Sequence, residues 1–329
     1  MEINKIYHID NKEGLLLIPE KSASLIISDP PYFEVKGDFD FIWKSFDEYL
    51  EFIESQAILY KKVLADNGTI FIYGHAKRIA YVQVIFDKYF NLENNITWEK
   101  TECQTRRGMD GYRCFAPITE RILMYSNEVG MTGLEEIYSS PDCFKSIKKY
   151  MRDERSKLMI AKGFKTLEAF NVFINDWTNT ANVVSRHYFS DSQWCFPTKE
   201  IYRRLQETGF WQREYEGLRQ EYEGLRRPFD NVFKLTDVFK FSQESHITKN
   251  YNHETVKPDK LTQAIILTCS KKDDLIVVPF AGSGTECAIA AKTGRRFIGF
   301  DTNKDYVEMA NKRVDAIINN KQDSLFDLY

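Results

Sequence analysis

The sequence predicts an α/β fold: a doubly wound, mostly parallel sheet carrying an inserted, mainly helical lobe. Three observations carry this expectation. Residues 1–126 alternate short β-like runs with helical ones, residues 251–329 repeat that style, and residues 127–250 between them differ in texture. Alternating strands and helices are the pattern of a parallel sheet covered on its faces. The two ends thus read as halves of one sheet, and the middle as an insertion.

In the first part Ser24–Ser28 reads as a strand, residues from about Phe46 to Leu64 as a helix, and Gly68–Tyr73 as a strand. A further helix and a strand near Ile96–Trp98 follow. In the last part Leu275–Pro279 and Arg296–Phe300 read as strands, with helices from about Glu286 to Thr293 and from Asp305 onward. The middle is basic and aromatic-rich, with Trp177, Trp194 and Trp211. Within it Glu214-Tyr-Glu-Gly-Leu-Arg-Gln is followed by Glu221-Tyr-Glu-Gly-Leu-Arg-Arg, which places Tyr215, Leu218, Tyr222 and Leu225 on one helical stripe. Two heptads are too short for an independent coiled coil. Packing against the protein's own body is expected, with a partner helix as the alternative.

The chain has 329 residues, of which 43% are hydrophobic and 28% charged, the balance of a globular protein. No apolar run approaches the roughly 20 residues of a membrane span, and Met1-Glu-Ile-Asn-Lys5 lacks a signal-peptide layout, so a cytoplasmic protein without membrane contact is expected. Neither the cysteines nor the histidines show metal-ligand or disulfide spacing, so no metal is expected. A net charge of −3 excludes wholesale coating of a polyanion and confines any nucleic-acid site to a local patch. Lys145, Lys148, Lys149, Arg152, Arg155, Lys157, Lys162 and Lys165 form one such run, whose plainer reading is a solvated helix face.

Two motifs carry chemistry. Leu275-Ile-Val-Val-Pro-Phe-Ala-Gly-Ser-Gly-Thr285 is a strand entering a glycine turn and then a helix. Gly282 and Gly284 let a ligand approach the backbone, and Asp301 closes the next strand where a carboxylate can hold ribose hydroxyls. Ile26-Ile-Ser-Asp-Pro-Pro-Tyr32 ends a β-run in a turn without N–H donors at Pro30 and Pro31. Its acceptors, the Asp29 carboxylate and the Pro30 carbonyl, suit a substrate amino group, and Tyr32 offers a π face to a planar base. Taken alone, that tetrapeptide reads more simply as a rigid capped turn.

Together, Asp29-Pro-Pro-Tyr32 and Phe280-Ala-Gly-Ser-Gly-Thr285 resemble the amino-group DNA methyltransferases. The catalytic motif precedes the cofactor motif, as in their beta class. The resemblance covers about residues 5–125 and 250–318, and extends to Tyr7-His-Ile-Asp10, Gly68-Thr-Ile-Phe-Ile-Tyr73 and His253-Glu-Thr-Val-Lys-Pro258 with Leu261. It implies a Rossmann-like methyltransferase sheet that binds S-adenosylmethionine and methylates a base flipped out of duplex DNA. Ala281, Gly282, Ser283 and Gly284, flanked by Phe280 and Thr285, would wrap the methionine part. Asp301 would take the ribose and Asp10 the adenine amino group, with Lys257, Pro258 and Thr262 near that pocket. Asp29, Pro30, Pro31 and Tyr32 would form the catalytic turn. One departure is Val278, where the family usually has an acidic residue; weaker cofactor binding, or another acid in its place, is the expectation.

Target recognition then falls to the inserted lobe. Asn182–Tyr188 reads as the second helix of a helix-turn-helix-like unit presenting Ser185, Arg186 and His187, against the alternative of a short polar helix. Lys148, Lys149 and Arg152 would contact phosphates. Arg106, Arg107 and Arg113 follow the Ile96–Trp98 strand as DNA contacts or solvated loop charge in equal measure. The expected partner is double-stranded DNA, with a homodimer and a cognate restriction endonuclease left open. Adenine N6 is the favoured acceptor because the Asp form of the motif leans that way; cytosine N4 is the alternative. A catalytically silent DNA-binding subunit has only Val278 in its favour, and a dinucleotide oxidoreductase fails because its glycine loop normally opens the domain.

Overall fold

The computed structural model describes residues 1–35, 40–100, 115, 118–127, 142–190, 193–242 and 256–319. The chain divides into two compact units, 1–129 with 227–329, and 130–226.

The first unit is built on an eight-stranded sheet. In chain order its elements are β1 (Lys5–His8), α1 (Asn11–Leu16), β2 (Ala23–Ser28), α2 (Phe46–Val63), β3 (Leu64–Gly74), α3 (Ile79–Phe86), β4 (Asn91–Glu99) and β5 (Thr119–Ser126). After the second unit come β6 (Val238–Lys240), α8 (Asp259–Cys269), β7 (Leu275–Val278), α9 (Thr285–Lys292), β8 (Arg296–Asp301) and α10 (Lys304–Asn319). The sheet order is β1-β8-β7-β2-β3-β5-β4-β6, and only β5 opposes the rest among the described strands. The strands expected from sequence at 24–28, 68–73, 96–98, 275–279 and 296–300 are all present.

Period-two alternation splits the core between the two faces of the sheet. Leu25, Ile27, Phe71, Tyr73, Ile276 and Val278 point to one side, against Leu261 and Ile265 of α8, Ala288 of α9 and Val307 of α10. Ile26, Ile70, Ile72, Leu275 and Val277 point to the other, against Tyr49, Ile53, Ala57 and Tyr60 of α2 and Val82 of α3. Strands buried on both faces explain the unbroken apolar runs in β2 and β7. Helix α2 starts where the Ser45 hydroxyl accepts the Glu48 N–H at 3.2 Å, with Asp47 and Glu48 in its first turn and Lys61 and Lys62 in its last.

Residues 227–242 belong to this unit rather than to the expected 127–250 lobe. The reason is β6: it pairs with β4 through Thr97–Val238, Trp98–Phe239 and Glu99–Lys240, Phe239 enters the core, and the Trp98 indole donates to the Phe241 carbonyl at 2.9 Å.

The second unit is helical, with α4 (Lys145–Ala161), α5 (Leu167–Trp177), α6 (Lys199–Gln206) and α7 (Tyr215–Leu225) around its own core of Ile147, Met151, Phe170, Ile174, Tyr202 and Trp211. The tandem heptads form α7. Leu218 is buried, and Tyr222 stacks on Phe144 and Phe196 at 4.8 and 4.7 Å between ring centroids. The stripe is thus packed into its own unit, as expected.

Candidate active site

Strands β1, β8, β7 and β2 lie side by side and parallel, so their carboxyl ends line one edge of the sheet. Asp10 follows β1, Asp301 ends β8, the glycine turn follows β7 and Asp29 follows β2. Chain order reverses between β7 and β2, since β8 and β1 continue to one side and β3 to the other. Ligands bind doubly wound sheets at such a switch point. The residues of both motifs, far apart in sequence, meet there.

The glycine turn is held open by backbone and carboxylate. The Ala281 N–H donates to the Phe300 carbonyl at 2.8 Å, and the Gly282 N–H donates to Asp301 Oδ2 at 2.8 Å. Asp301 Oδ1 accepts from the Asn303 N–H at 2.8 Å. A carboxylate has about four acceptor positions, so these bonds orient Asp301 and leave room for ribose hydroxyls. Gly284 starts α9 in the left-handed region at φ 73°, and a Cβ there would lie 2.6 Å from that of Ala310. Gly284→Ala is therefore expected to cost about 2–4 kcal/mol, from left-handed strain plus overpacking, readable by urea denaturation. Phe280 packs edge-on against Phe52 at 6.1 Å, while Ser283 and Thr285 are buried with hydroxyls 3.1 Å apart. Asp10 is exposed and caps α1, accepting the Lys12 N–H at 2.8 Å. Glycine approach, an oriented acid and a wet carboxylate at the edge fit a nucleoside with an amino-acid tail.

The Asp29–Tyr32 turn is occupied by its own side chains. The Tyr32 hydroxyl donates to Asp29 Oδ1 at 2.6 Å, and Lys257 Nζ donates to Asp29 Oδ2 at 2.5 Å. Asp40 accepts the Tyr32 N–H at 2.5 Å and pins the turn from outside. Pro30 is buried and Pro31 half-buried beside them. Burial, then the Asp29 and Glu120 charges, push the Tyr32 phenol well above its ordinary range, so it stays protonated and able to donate.

Lys257 is the centre of a buried charge cluster. Its ammonium lies 4.8 Å from the Tyr73 ring centroid and 3.9 Å from Glu120 Oε2, and Glu120 is paired in turn with Lys100 at 2.5 Å. Burial works against that ammonium, but Asp29 and Glu120 outweigh it and hold its pKa above the ordinary lysine value. Burial alone would raise the Glu120 carboxyl; Lys257 and Lys100 more than offset it and keep it low. The Lys257 contact lies on the Asp29–Tyr32 turn, whereas the sequence associates it with the cofactor pocket. Pro258 precedes α8 as its N-cap. Glu120, Lys100, Tyr73 and Glu286 went unnoticed as site residues in the sequence; only Glu286, directly after the glycine turn, and Tyr73, at the end of the Gly68–Tyr73 motif, carried a positional signal.

The expected DNA contacts fare differently. Arg106, Arg107 and Arg113 lie outside the described residues. Lys148 is buried, with its ammonium 5.8 Å from the Trp194 ring centroid, so it is packing material rather than a phosphate contact. Lys149 is exposed and paired with Asp153 at 2.6 Å, and Arg152 is half-buried. Val184–Tyr188 is a five-residue π-helical turn, too short to be a recognition helix. Its polar groups are tied locally: Ser185 Oγ accepts from Asn175 at 2.9 Å, Arg186 Nε donates to Gln193 Oε1 at 2.6 Å, and His187 Nδ1 meets the Gln193 carbonyl at 2.9 Å. A wider π turn relaxes the helical ladder at the point where Asn175 intrudes on Ser185. Cys195, Cys269 and Cys287 are free thiols, and among the described residues no cluster could hold a metal ion and no helix is long and apolar enough to cross a membrane.

Comparison with known proteins agrees with this geometry. The type II methyltransferase M2.DpnII of Streptococcus pneumoniae is 26% identical over 94% of this chain and 89% of its own length. The DNA adenine methyltransferase YhdJ of Escherichia coli (strain K12) is 24% identical over 96% of this chain and 84% of its own. The solved PvuII DNA methyltransferase, cytosine-N4-specific, shares the fold with a TM-score of 0.53 at 14% identity, covering 95% of this chain and 90% of that one. Residues 23–312 match the model of the DNA methylase family N6_N4_Mtase, and the chain belongs to that family of amino-group DNA methyltransferases.

Proposed function

We propose that the protein transfers a methyl group from S-adenosylmethionine to N6 of adenine in duplex DNA, after flipping the base out of the helix. The observation that carries this reading is the juxtaposition of the Asp29 turn with the glycine loop at the switch point of the sheet. S-adenosylmethionine, the methyl donor of the family, supplies a methyl already activated by its sulfonium. The residues placed to hold it are those of the 280–285 loop with Asp301 and Asp10.

The difficulty lies in the acceptor, whose amino lone pair is delocalised into the ring. Asp29 and the Pro30 carbonyl offer acceptors that favour a tetrahedral nitrogen and stabilise its developing positive charge. Bound at the 280–285 loop, S-adenosylmethionine would supply the methyl with its sulfur as the leaving group, and the proton that the nitrogen gives up would pass to water. Asp29 accepts from Tyr32 and Lys257, and the remaining acceptor positions of its carboxylate would take the amine, with the Tyr32 ring offered as the platform for the base. The helical unit 130–226 is the natural target-recognition module, because the sheet unit alone contains both motifs. Type II relatives point to a cognate restriction endonuclease as partner.

Adenine is favoured by the Asp form of the motif and by the adenine-directed relative. The fold does not decide, since a cytosine-N4 enzyme shares it. The test is incubation with unmethylated genomic DNA and isotopically labelled S-adenosylmethionine, followed by mass spectrometry of the nucleosides. Labelled N6-methyladenine is expected; labelled N4-methylcytosine would replace the base, and no label in either would overturn the reading.

A further inference from the structure

Glu286 is a buried carboxyl that nothing in the catalytic scheme uses. It sits in the first turn of α9, two residues after Gly284, and is 6% exposed. Its Oε1 makes no hydrogen bond among the described residues, and the carboxyl is otherwise met by its own backbone N–H. The groups that act on it electrostatically are Asp29 beyond β2, Lys257 before α8 and Arg313 of α10; Tyr73 of β3 feels it in turn. Lys257 is committed to Asp29 at 2.5 Å, and Arg313 to Asp259 at 2.8 Å and Thr285 at 3.0 Å. Neither cation closes the Glu286 carboxyl.

An orphaned carboxyl in an apolar setting is costly and calls for a partner. Val278, where the family usually places an acid, is 1% exposed within the apolar cluster that also holds Tyr73, Ala281 and Cys287. The glycine loop therefore lacks an acid at its entrance and has one at its exit.

We propose that Glu286 is the counter-charge for a cationic centre of S-adenosylmethionine, its sulfonium or its α-ammonium. This rests on the methyltransferase reading. Burial first, then Asp29, push the Glu286 carboxyl up to about 7. A bound cation favours the ionised form, so cofactor binding should expel a proton below that pH and none well above it, and affinity should rise as pH rises toward it.

The test is isothermal titration of the full chain with S-adenosylmethionine across the acid side of neutrality, in buffers of different ionisation heat, for wild type and Glu286→Gln. We expect proton release from wild type that the variant lacks, and affinity about tenfold to a hundredfold lower in the variant. Running the variant alongside removes the cofactor's own α-amine from the difference. Methylthioadenosine, which has neither cation, should bind both proteins equally and so controls for folding. S-adenosylhomocysteine keeps the ammonium alone; a variant deficit with it assigns the ammonium, and its absence assigns the sulfonium. Equal S-adenosylmethionine affinity and equal proton release in the two proteins would overturn the proposal. Failure of wild type to bind S-adenosylmethionine at all would instead overturn the methyltransferase reading beneath it. Should the variant not fold, absence of proton release from wild type alone refutes the assignment.

Discussion

Asp29→Ala is expected to lower kcat for methyl transfer by about 10³-fold while S-adenosylmethionine affinity changes little. The split follows from the site's layout. Asp29 lies after β2, and the loop proposed to hold the cofactor lies after β7, with its own supports in Asp301 and the Phe300 carbonyl. Loss of the carboxylate removes the acceptor proposed for the substrate amine and the acceptor of Tyr32 without touching those supports. Asp29→Asn separates charge from shape: its amide oxygen still accepts from Tyr32, but it presents an N–H₂ donor toward Lys257, a like-signed contact. Single-turnover transfer together with equilibrium binding measures both quantities. Near-normal turnover in Asp29→Ala would remove the catalytic role from this turn.

How much of this was legible in sequence depends on whether the signal was local. The apolar runs of β2 and β7 advertise strands buried on both faces, and the Gly282 and Gly284 turn advertises a close backbone approach, so the switch-point site could be placed from the two motifs. Strand β5 was less visible, because Thr119-Glu-Arg carries polar residues and only Ile122–Tyr125 is a dense apolar run. Glu120 was hidden with it: its role comes from Lys257 and Lys100, which lie 137 and 20 positions away in the chain. The basic run failed for a different reason. Spacing counts charges but cannot show that the Lys148 stem lies inside the helical core beneath Trp194. Likewise the polarity of 182–188 was read correctly, yet the Asn175 side chain that captures Ser185 comes from a neighbouring helix and leaves only a short turn. Long-range pairing decided each of these.

The same dependence makes Lys257→Met the second large effect. One buried ammonium serves Asp29 directly and Glu120 at 3.9 Å, with Glu286 in electrostatic reach. Methionine keeps the stem's packing under Tyr73 but leaves Asp29 with only the Tyr32 hydroxyl, Glu120 with Lys100, and Glu286 with the field of Arg313. Removing one partner of a buried pair costs about 3–5 kcal/mol, because the abandoned charge stays desolvated. Lys257 is held above its ordinary value, so it is charged throughout the neutral and acid range and is not itself the source of variation. Glu120 is held low, and the stability it contributes is present above its unfolded pKa and lost as pH falls through its folded one. Without Lys257 that carboxyl rises, and Glu286, already near 7, rises further. The deficit of the variant should therefore be full at about pH 8 and shrink toward about pH 5 as the acids take up protons. Activity should fall by about 10²-fold at neutral pH, since an uncompensated cluster no longer holds the Asp29 carboxylate in place for the amine. Urea denaturation at the two pH values measures the first claim and a pH–rate profile the second. A deficit that stays constant with pH would mean that Lys257 acts through packing alone.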